Sequence, residues 1–172
     1  MSDLQIKTIR VKFAPYMTLK IGDTAPDFSL YNTEKELIQL SQLKGNPVVL
    51  LFFPLAFTAT CTAELCSVRD DIANYQKLHA SVFGISVDSI FSLKQFQEQQ
   101  HLNFPLLSDF NKTASIAYDS LYESFVLDMK GVSKRSAFVV DAVGVIQYAE
   151  VLEKASDIPN LEAIKSVLAT LS

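Results

Sequence analysis

The sequence predicts one α/β domain built on a central mixed sheet with helices on both faces, preceded by an extended N-terminal arm. Three observations carry this reading. Residues 48–53 and 81–88 are apolar runs rich in β-branched and aromatic side chains, as expected of strands buried on both faces. Between them the period changes, with Leu65, Val68, Ile72 and Tyr75 recurring at the intervals of three and four that mark a helix. Near the C-terminus two further apolar stretches, 136–141 and 145–151, flank Ala142, Val143 and Gly144 in the manner of a hairpin.

Taken in order, residues 1–17 alternate apolar and polar positions and read as the arm, while residues 18–172 form the domain. The segment 20–28 holds turn residues around one apolar anchor, Phe28. Residues 29–40 alternate enough for a hairpin that ends before the Lys44-Gly45-Asn46-Pro47 turn. The strand at 48–53 stops at Pro54, and a helix is expected from near Thr60. The strand at 81–88 ends in Asp88, where a second helix is expected to start, with Ile90, Leu93 and Phe96 on one face and Gln97 to Gln100 as its polar end. A short strand at 104–109, a brief helix at 112–118 and a loop with a local strand at 119–134 follow. The final helix starts from Asn160, with Leu161, Ile164, Val167, Leu168 and Leu171 apolar. The order β, α, β, α, β, β, α after Val48 is that of a thioredoxin-like fold.

Composition narrows the function. With 172 residues the chain can bury a core without metal or disulfide staples. A hydrophobic fraction of 49% and a charged fraction of 20% describe a soluble globular protein. The net charge of −4, without a basic run, argues against nucleic acid as a partner. No apolar run reaches the roughly 20 residues of a membrane-spanning helix. No signal-peptide core stands near the N-terminus, so a cytoplasmic location is expected. The two cysteines, five positions apart, fit catalysis, redox chemistry or metal binding better than a structural framework.

Those cysteines follow the abrupt end of the first buried strand, in Pro54-Leu55-Ala56-Phe57-Thr58-Ala59-Thr60-Cys61-Thr62-Ala63-Glu64-Leu65-Cys66. With Thr58 or Thr60 as a side-chain cap, Cys61 lies in the first helical turn, where unpaired N–H groups and the helix dipole favour an anion. Helix N-termini lower a thiol pKa below its free value of about 8.5, and the thiolate is the nucleophile. By residue type, Lys134, Arg135 and Arg69 are candidates for a cation beside it. Cys61 also continues the stripe of Leu65 and Val68, and position alone leaves packing and reactivity equally open. In an intact helix, residues five apart lie about 140° around the axis with Cα atoms about 8.6 Å apart. A disulfide needs no more than about 7 Å, so Cys61 and Cys66 join only if the first turn unwinds.

The pattern Pro54-x-x-x-Thr58-x-x-Cys61 resembles the active-site motif of the peroxiredoxins, thiol peroxidases of thioredoxin fold. Gly22-Asp23-Thr24-Ala25-Pro26-Asp27-Phe28 is similar to that family's opening motif and Phe104-Pro105-Leu106-Leu107-Ser108-Asp109 to a later segment, and Arg135 falls where the family keeps an active-site arginine. The placement of Cys66 resembles the bacterioferritin-comigratory-protein branch, whereas Phe52 to Thr58 is closer to the alkyl hydroperoxide reductase E group. The resemblance implies reduction of hydrogen peroxide and organic hydroperoxides at Cys61, which becomes a sulfenic acid. It implies that Thr58 directs its hydroxyl at the sulfur and the peroxide, that Pro54 shields the pocket, and that Arg135 stabilises the reacting charge with Glu64 orienting it. Cys66 would resolve the sulfenic acid as an intramolecular disulfide, reopened by thioredoxin or a similar dithiol reductant. No cofactor or metal is implied, and either a monomer or a homodimer is compatible.

A rival function is a redox sensor or holdase switched by the Cys61–Cys66 pair. A thioredoxin-like disulfide exchanger is disfavoured because the sequence has no CxxC. Two cysteines alone fall short of the four ligands of a structural zinc site. His79 and His101 read as surface residues, Phe57, Tyr122 and Phe125 as packing rather than a substrate mouth or dimer face, Arg69 with Asp70 and Asp71 as a salt-bridged helix face, and Gln97 to Gln100 as an ordinary helix end.

Overall fold

The computed structural model describes residues 18–171, so the arm expected at 1–17 lies outside the described residues. Among the described residues seven strands and four α-helices follow one another as β1 (Ser29–Asn32), β2 (Leu37–Gln39), β3 (Val48–Phe52), α1 (Ala59–Lys77), β4 (Ser81–Ser86), α2 (Ile90–Gln99), β5 (Leu106–Ser108), α3 (Thr113–Ala117), β6 (Ser136–Val140), β7 (Ile146–Val151) and α4 (Leu161–Leu171). The sheet order is β2-β1-β5-β4-β3-β6-β7. Pairing is parallel for β3 with β4 and β4 with β5, and antiparallel elsewhere, which makes the sheet mixed.

Every residue of β3 is buried because both of its faces are covered. Val49, Leu51 and Phe53 pack with Cys61, Leu65, Val68 and Tyr75 of α1, Leu93 and Phe96 of α2, and Ile164 and Leu168 of α4. Val48, Leu50 and Phe52 face the other way, toward Phe28, Leu30, Leu40, Ala114 of α3, Tyr118 and Phe138. The ring of Tyr118 lies 5.2 Å from Phe52 and 5.0 Å from Phe138, centroid to centroid, and its hydroxyl donates to the Pro26 carbonyl at 2.9 Å. Aromatic contacts of this kind contribute about 1 kcal/mol each beyond the area they bury.

The structure refines the helix ends. α1 begins at Ala59, one residue before the expected Thr60. Thr58 occupies the capping position, but neither it nor Thr60 supplies the expected side-chain cap. Asp88 does not start α2; Ser89 does, accepting a hydrogen bond from the Ser92 N–H at 3.2 Å. Asn160 precedes α4 and accepts from the Ala163 N–H at 3.0 Å. His79 and His101, both exposed, follow α1 and α2 in the left-handed conformation, with φ of 54° and 52°. The 119–134 segment contains one bridge, Leu121 with Ser133, and a short 3-10 turn at Val126–Asp128. Among the described residues no helix is long and apolar enough to cross a membrane.

Gly84 in β4 allows the close approach that holds the end of β3 in place. A Cβ there would lie 2.6 Å from Leu106 Cδ2 and 3.4 Å from Phe53 Cε1, both on fully buried side chains. Gly84→Val is therefore expected to destabilise the fold by about 1–3 kcal/mol. Urea unfolding measures this, and an unchanged midpoint would show that the layer between β4 and β5 is looser than described.

Candidate active site

The register of the sheet assembles the site. Phe52, the last residue of β3, pairs with Ser136, the first of β6. Arg135 therefore stands beside the end of β3, where the chain turns through Pro54 into α1. The Arg135 carbonyl accepts from the Leu152 N–H at 2.9 Å, so the segment leaving β7 passes on the other side of the same residue. A side chain 74 positions from Cys61 is thereby brought into contact with it.

Arg135 is almost fully buried, and its donors are taken up from three directions. Nη2 donates to Cys61 Sγ at 3.3 Å, Nη1 donates to Glu64 Oε2, and Nε and Nη2 donate to the Ala155 carbonyl at 3.2 and 2.9 Å. Burial works against the guanidinium charge, but Glu64 and then Cys61 outweigh it and push the Arg135 pKa up. Glu64 shares a helix face with Cys61 because the two are three residues apart on α1. Its Oε1 is buried without a hydrogen-bond partner. Burial raises the Glu64 pKa to about 7 against the opposing pull of Arg135.

Cys61 is the third residue of α1 and has no exposed surface. The first backbone hydrogen bond of the helix runs from Thr62 N–H to Thr58 O at 2.9 Å, so the N–H groups of Ala59, Thr60 and Cys61 precede the helical ladder. Pro54 is buried at the end of β3, and Thr58 is exposed. The Thr58 hydroxyl donates to the Leu55 carbonyl at 2.9 Å, which closes the turn and differs from the expected direction toward the sulfur. Phe57 within that turn has φ of 64° and sets its ring 5.1 Å from Phe96. A non-glycine residue held there costs on the order of 1–3 kcal/mol and needs support from its surroundings.

Of the three candidate cations only Arg135 reaches Cys61. Lys134 pairs with the exposed Glu153 at 2.8 Å. Arg69 pairs with Asp70 at 2.8 Å and donates through Nη1 to the Gln100 carbonyl at 2.6 Å, while Asp71 pairs with Lys165 of α4 at 2.6 Å. Cys66 is partly buried, and its Sγ donates to Gln100 Oε1 at 3.8 Å. Gln97 accepts from the Thr33 hydroxyl at 2.6 Å and donates to the Phe104 carbonyl at 3.0 Å. The stretch 97–100 thus contacts α1 and the turn that follows β1 and is more than an ordinary helix end. Tyr122 and Phe125 lie against each other with centroids 5.3 Å apart.

Both cysteines are free thiols, carried on one continuous helix. Sequence reasoning missed Ala155 and Gln100. Ala155 acts through its backbone carbonyl, which no residue type announces, and Gln100 had only its position at a helix end as a signal. Among the described residues no group of three or more His, Cys, Asp or Glu side chains is placed to hold a metal ion.

Comparison with known proteins bears on this geometry. A model of the AhpC/TSA family matches residues 21–149. The protein named putative peroxiredoxin ycf42 of Porphyra purpurea is 37% identical over 163 residues, covering 89% of this chain and 75% of the relative. Alkyl hydroperoxide reductase E of Mycobacterium tuberculosis is 38% identical over 135 residues, covering 77% of this chain and 85% of the relative. The crystal structure of peroxidoxin BcpB from Mycobacterium tuberculosis superimposes with a TM-score of 0.79 at 30% identity, over 90% of this chain and 99% of that one. A peroxiredoxin-like protein from Aquifex aeolicus has the same fold, with a TM-score of 0.82 at 24% identity over 91% of this chain and 90% of that one.

The buried carboxyl of Glu64 gives the site a pH signature. Its folded pKa, about 7, lies above the ordinary value of 4.5. Between these values the folded state holds a proton that the unfolded chain releases, so this group's contribution to stability falls as pH rises through that window. The unfolding free energy of the wild type minus that of Glu64→Gln is therefore expected to decrease from pH 5 to pH 7.5, by a change on the order of a few kcal/mol. Urea titrations at several pH values measure it; a difference that grows with pH would mean that Arg135 overcomes the burial of Glu64.

Proposed function

The chain belongs to the AhpC/TSA family and is a peroxiredoxin, a thiol peroxidase with peroxide substrates and a thiol reductant; from this premise we propose that Cys61 is its peroxide-reducing nucleophile and Cys66 the thiol that resolves it. The observation that carries the assignment is the Arg135 guanidinium, donating to the Cys61 sulfur on one side and anchored to Glu64 on the other.

The Cys61 thiolate attacks the terminal oxygen of a hydroperoxide. The S–O bond forms as the O–O bond breaks, the cysteine is oxidised to sulfenic acid, and the other oxygen takes up a proton and leaves as water or an alcohol. Arg135 is fixed before reaction, so its N–H groups meet the charge that spreads over sulfur and oxygen without having to reorganise, which is usually the largest catalytic contribution. Glu64 and the Ala155 carbonyl orient Arg135 and do not touch substrate. Pro54 keeps water from the sulfur, and the Thr58 hydroxyl turns from the Leu55 carbonyl to the peroxide when substrate arrives. A sulfur without accessible surface is reached only as neighbouring atoms of this turn move aside.

Cys66 then attacks the sulfenic sulfur, a disulfide forms and water leaves. Because Cα atoms five residues apart in a helix are about 8.6 Å apart, this step requires α1 to unwind between Cys61 and Cys66. A dithiol reductant of the thioredoxin type reopens the disulfide, consistent with an intracellular setting where such reductants are maintained.

Stopped-flow oxidation by hydrogen peroxide and by an organic hydroperoxide, followed by mass spectrometry of the cysteines, tests the assignment. Fast oxidation of the wild type, none at position 61 in Cys61→Ser, and a Cys61–Cys66 linkage are expected. Cys66→Ser should keep its first turnover and lose thioredoxin-dependent cycling. Oxidation at the rate of an ordinary free thiol would refute the role of Cys61, and absence of the linkage would refute that of Cys66.

A further inference from the structure

We infer that Asp88 is a positioning residue of the peroxide site, holding through the Ala56 N–H the strained turn that carries Pro54 and Thr58. The inference rests on the reading of that turn as the wall of the peroxide pocket.

The turn is short and is held at few points. Phe53 N–H bonds to the Ile85 carbonyl at 2.9 Å, the last backbone tie to β4 before the chain departs. Pro54 has no N–H to donate. The buried Ala56 N–H reaches 2.8 Å to Asp88 Oδ2. One residue later Phe57 stands at φ 64°, a conformation that relaxes unless its neighbours fix it. The Thr58 hydroxyl bonds back to the Leu55 carbonyl, so the turn moves as one piece with Ala56 at its centre.

Asp88 is itself held rigidly. The Ser86 hydroxyl donates to the same Oδ2 at 2.5 Å, and the Asp88 N–H donates to Ser86 Oγ at 3.0 Å. The Ser108 hydroxyl at the end of β5 donates to the Asp88 carbonyl at 2.6 Å, and the Asp109 N–H bonds to the Ser86 carbonyl at 2.8 Å. Asp88 thus transmits the geometry of the carboxyl ends of β4 and β5 to the turn that follows β3. Those strands are parallel neighbours, so their ends meet at the same edge of the sheet. Without the carboxyl, a buried N–H is left unpaired and the turn shifts. Thr58 then shifts with it, while Cys61, fixed by α1 and Arg135, stays.

The test compares Asp88→Ala, Asp88→Asn and Ser86→Ala in a Cys66→Ser background, where Cys61 is the remaining thiol of the two. Each variant is measured for oxidation by hydrogen peroxide, alkylation of Cys61 by iodoacetamide and thermal unfolding. Asp88→Ala is expected to slow peroxide oxidation on the order of 100-fold, the scale of a small misplacement of a reacting geometry, while alkylation, which needs only access to the sulfur, is not slowed. Asp88→Asn should restore most of the loss because its amide oxygen still accepts from Ala56, and Ser86→Ala should fall between the two. Peroxide oxidation by Asp88→Ala as fast as in the parent would overturn the inference. So would equal losses in peroxide oxidation and alkylation without rescue by Asn, which would make Asp88 a general structural residue. A parent protein that itself reacts only as an ordinary thiol would instead sink the reading of the pocket, a result distinct from both.

Discussion

The site depends on one buried cation. Arg135 gives up most of its hydration on folding, a cost of several kcal/mol for an ion unless each donor finds a partner. Glu64, Cys61 and the Ala155 carbonyl are those partners, contributed by α1 and by the segment after β7. Each depends on the sheet. The Phe52–Ser136 register puts Arg135 beside the end of β3, and the Leu152–Arg135 backbone bond brings the chain past it toward Ala155. A slip of one residue in β6 would turn the guanidinium to the opposite face and leave both Glu64 and the sulfur without a counter-charge.

This demand for fixed geometry meets an opposite demand in α1. On the proposed roles, charge stabilisation at Cys61 needs an intact first turn, whereas resolution by Cys66 needs that turn to open. Both parts of the helix are tied to other elements. Its first two turns are tied through Arg135, which holds Cys61 and Glu64, while Thr58 is uncapped by its side chain and Thr60 only partly buried. From Arg69 onward the helix is bound to its neighbours, through the Gln100 carbonyl, through the Asn103 side chain on the Arg69 carbonyl at 3.2 Å, and through the Asp71–Lys165 pair. Opening between Cys61 and Cys66 therefore has to release the Arg135 contacts, while the helix beyond Arg69 keeps its own ties.

Much of this was legible in the residues. Periodicity located β3, α1 and the hairpin of β6 and β7, because burial on two faces, on one helical face or across a tight turn leaves different spacings. The stretch from Pro54 to Cys66 and the position of Arg135 were legible as a motif. What escaped was set by backbone and by tertiary contact. Ala155 contributes a carbonyl, Gln100 is a partner only because α2 ends against α1, and Asp88 resembled a helix start until its carboxyl was seen turned toward Ala56. The Thr58 hydroxyl shows the same limit, since a threonine before a helix suggests a cap, yet the turn uses it to close on Leu55.

The central claim is that Glu64 acts on Cys61 through Arg135, and a double-mutant cycle between Glu64→Gln and Arg135→Met, read on the second-order rate of Cys61 oxidation by hydrogen peroxide, tests it most directly. Strong non-additivity is expected: Glu64→Gln slows the wild-type protein and has little further effect once Arg135 is gone. Additive losses would contradict it, because they would mean that the carboxyl and the guanidinium reach the sulfur independently.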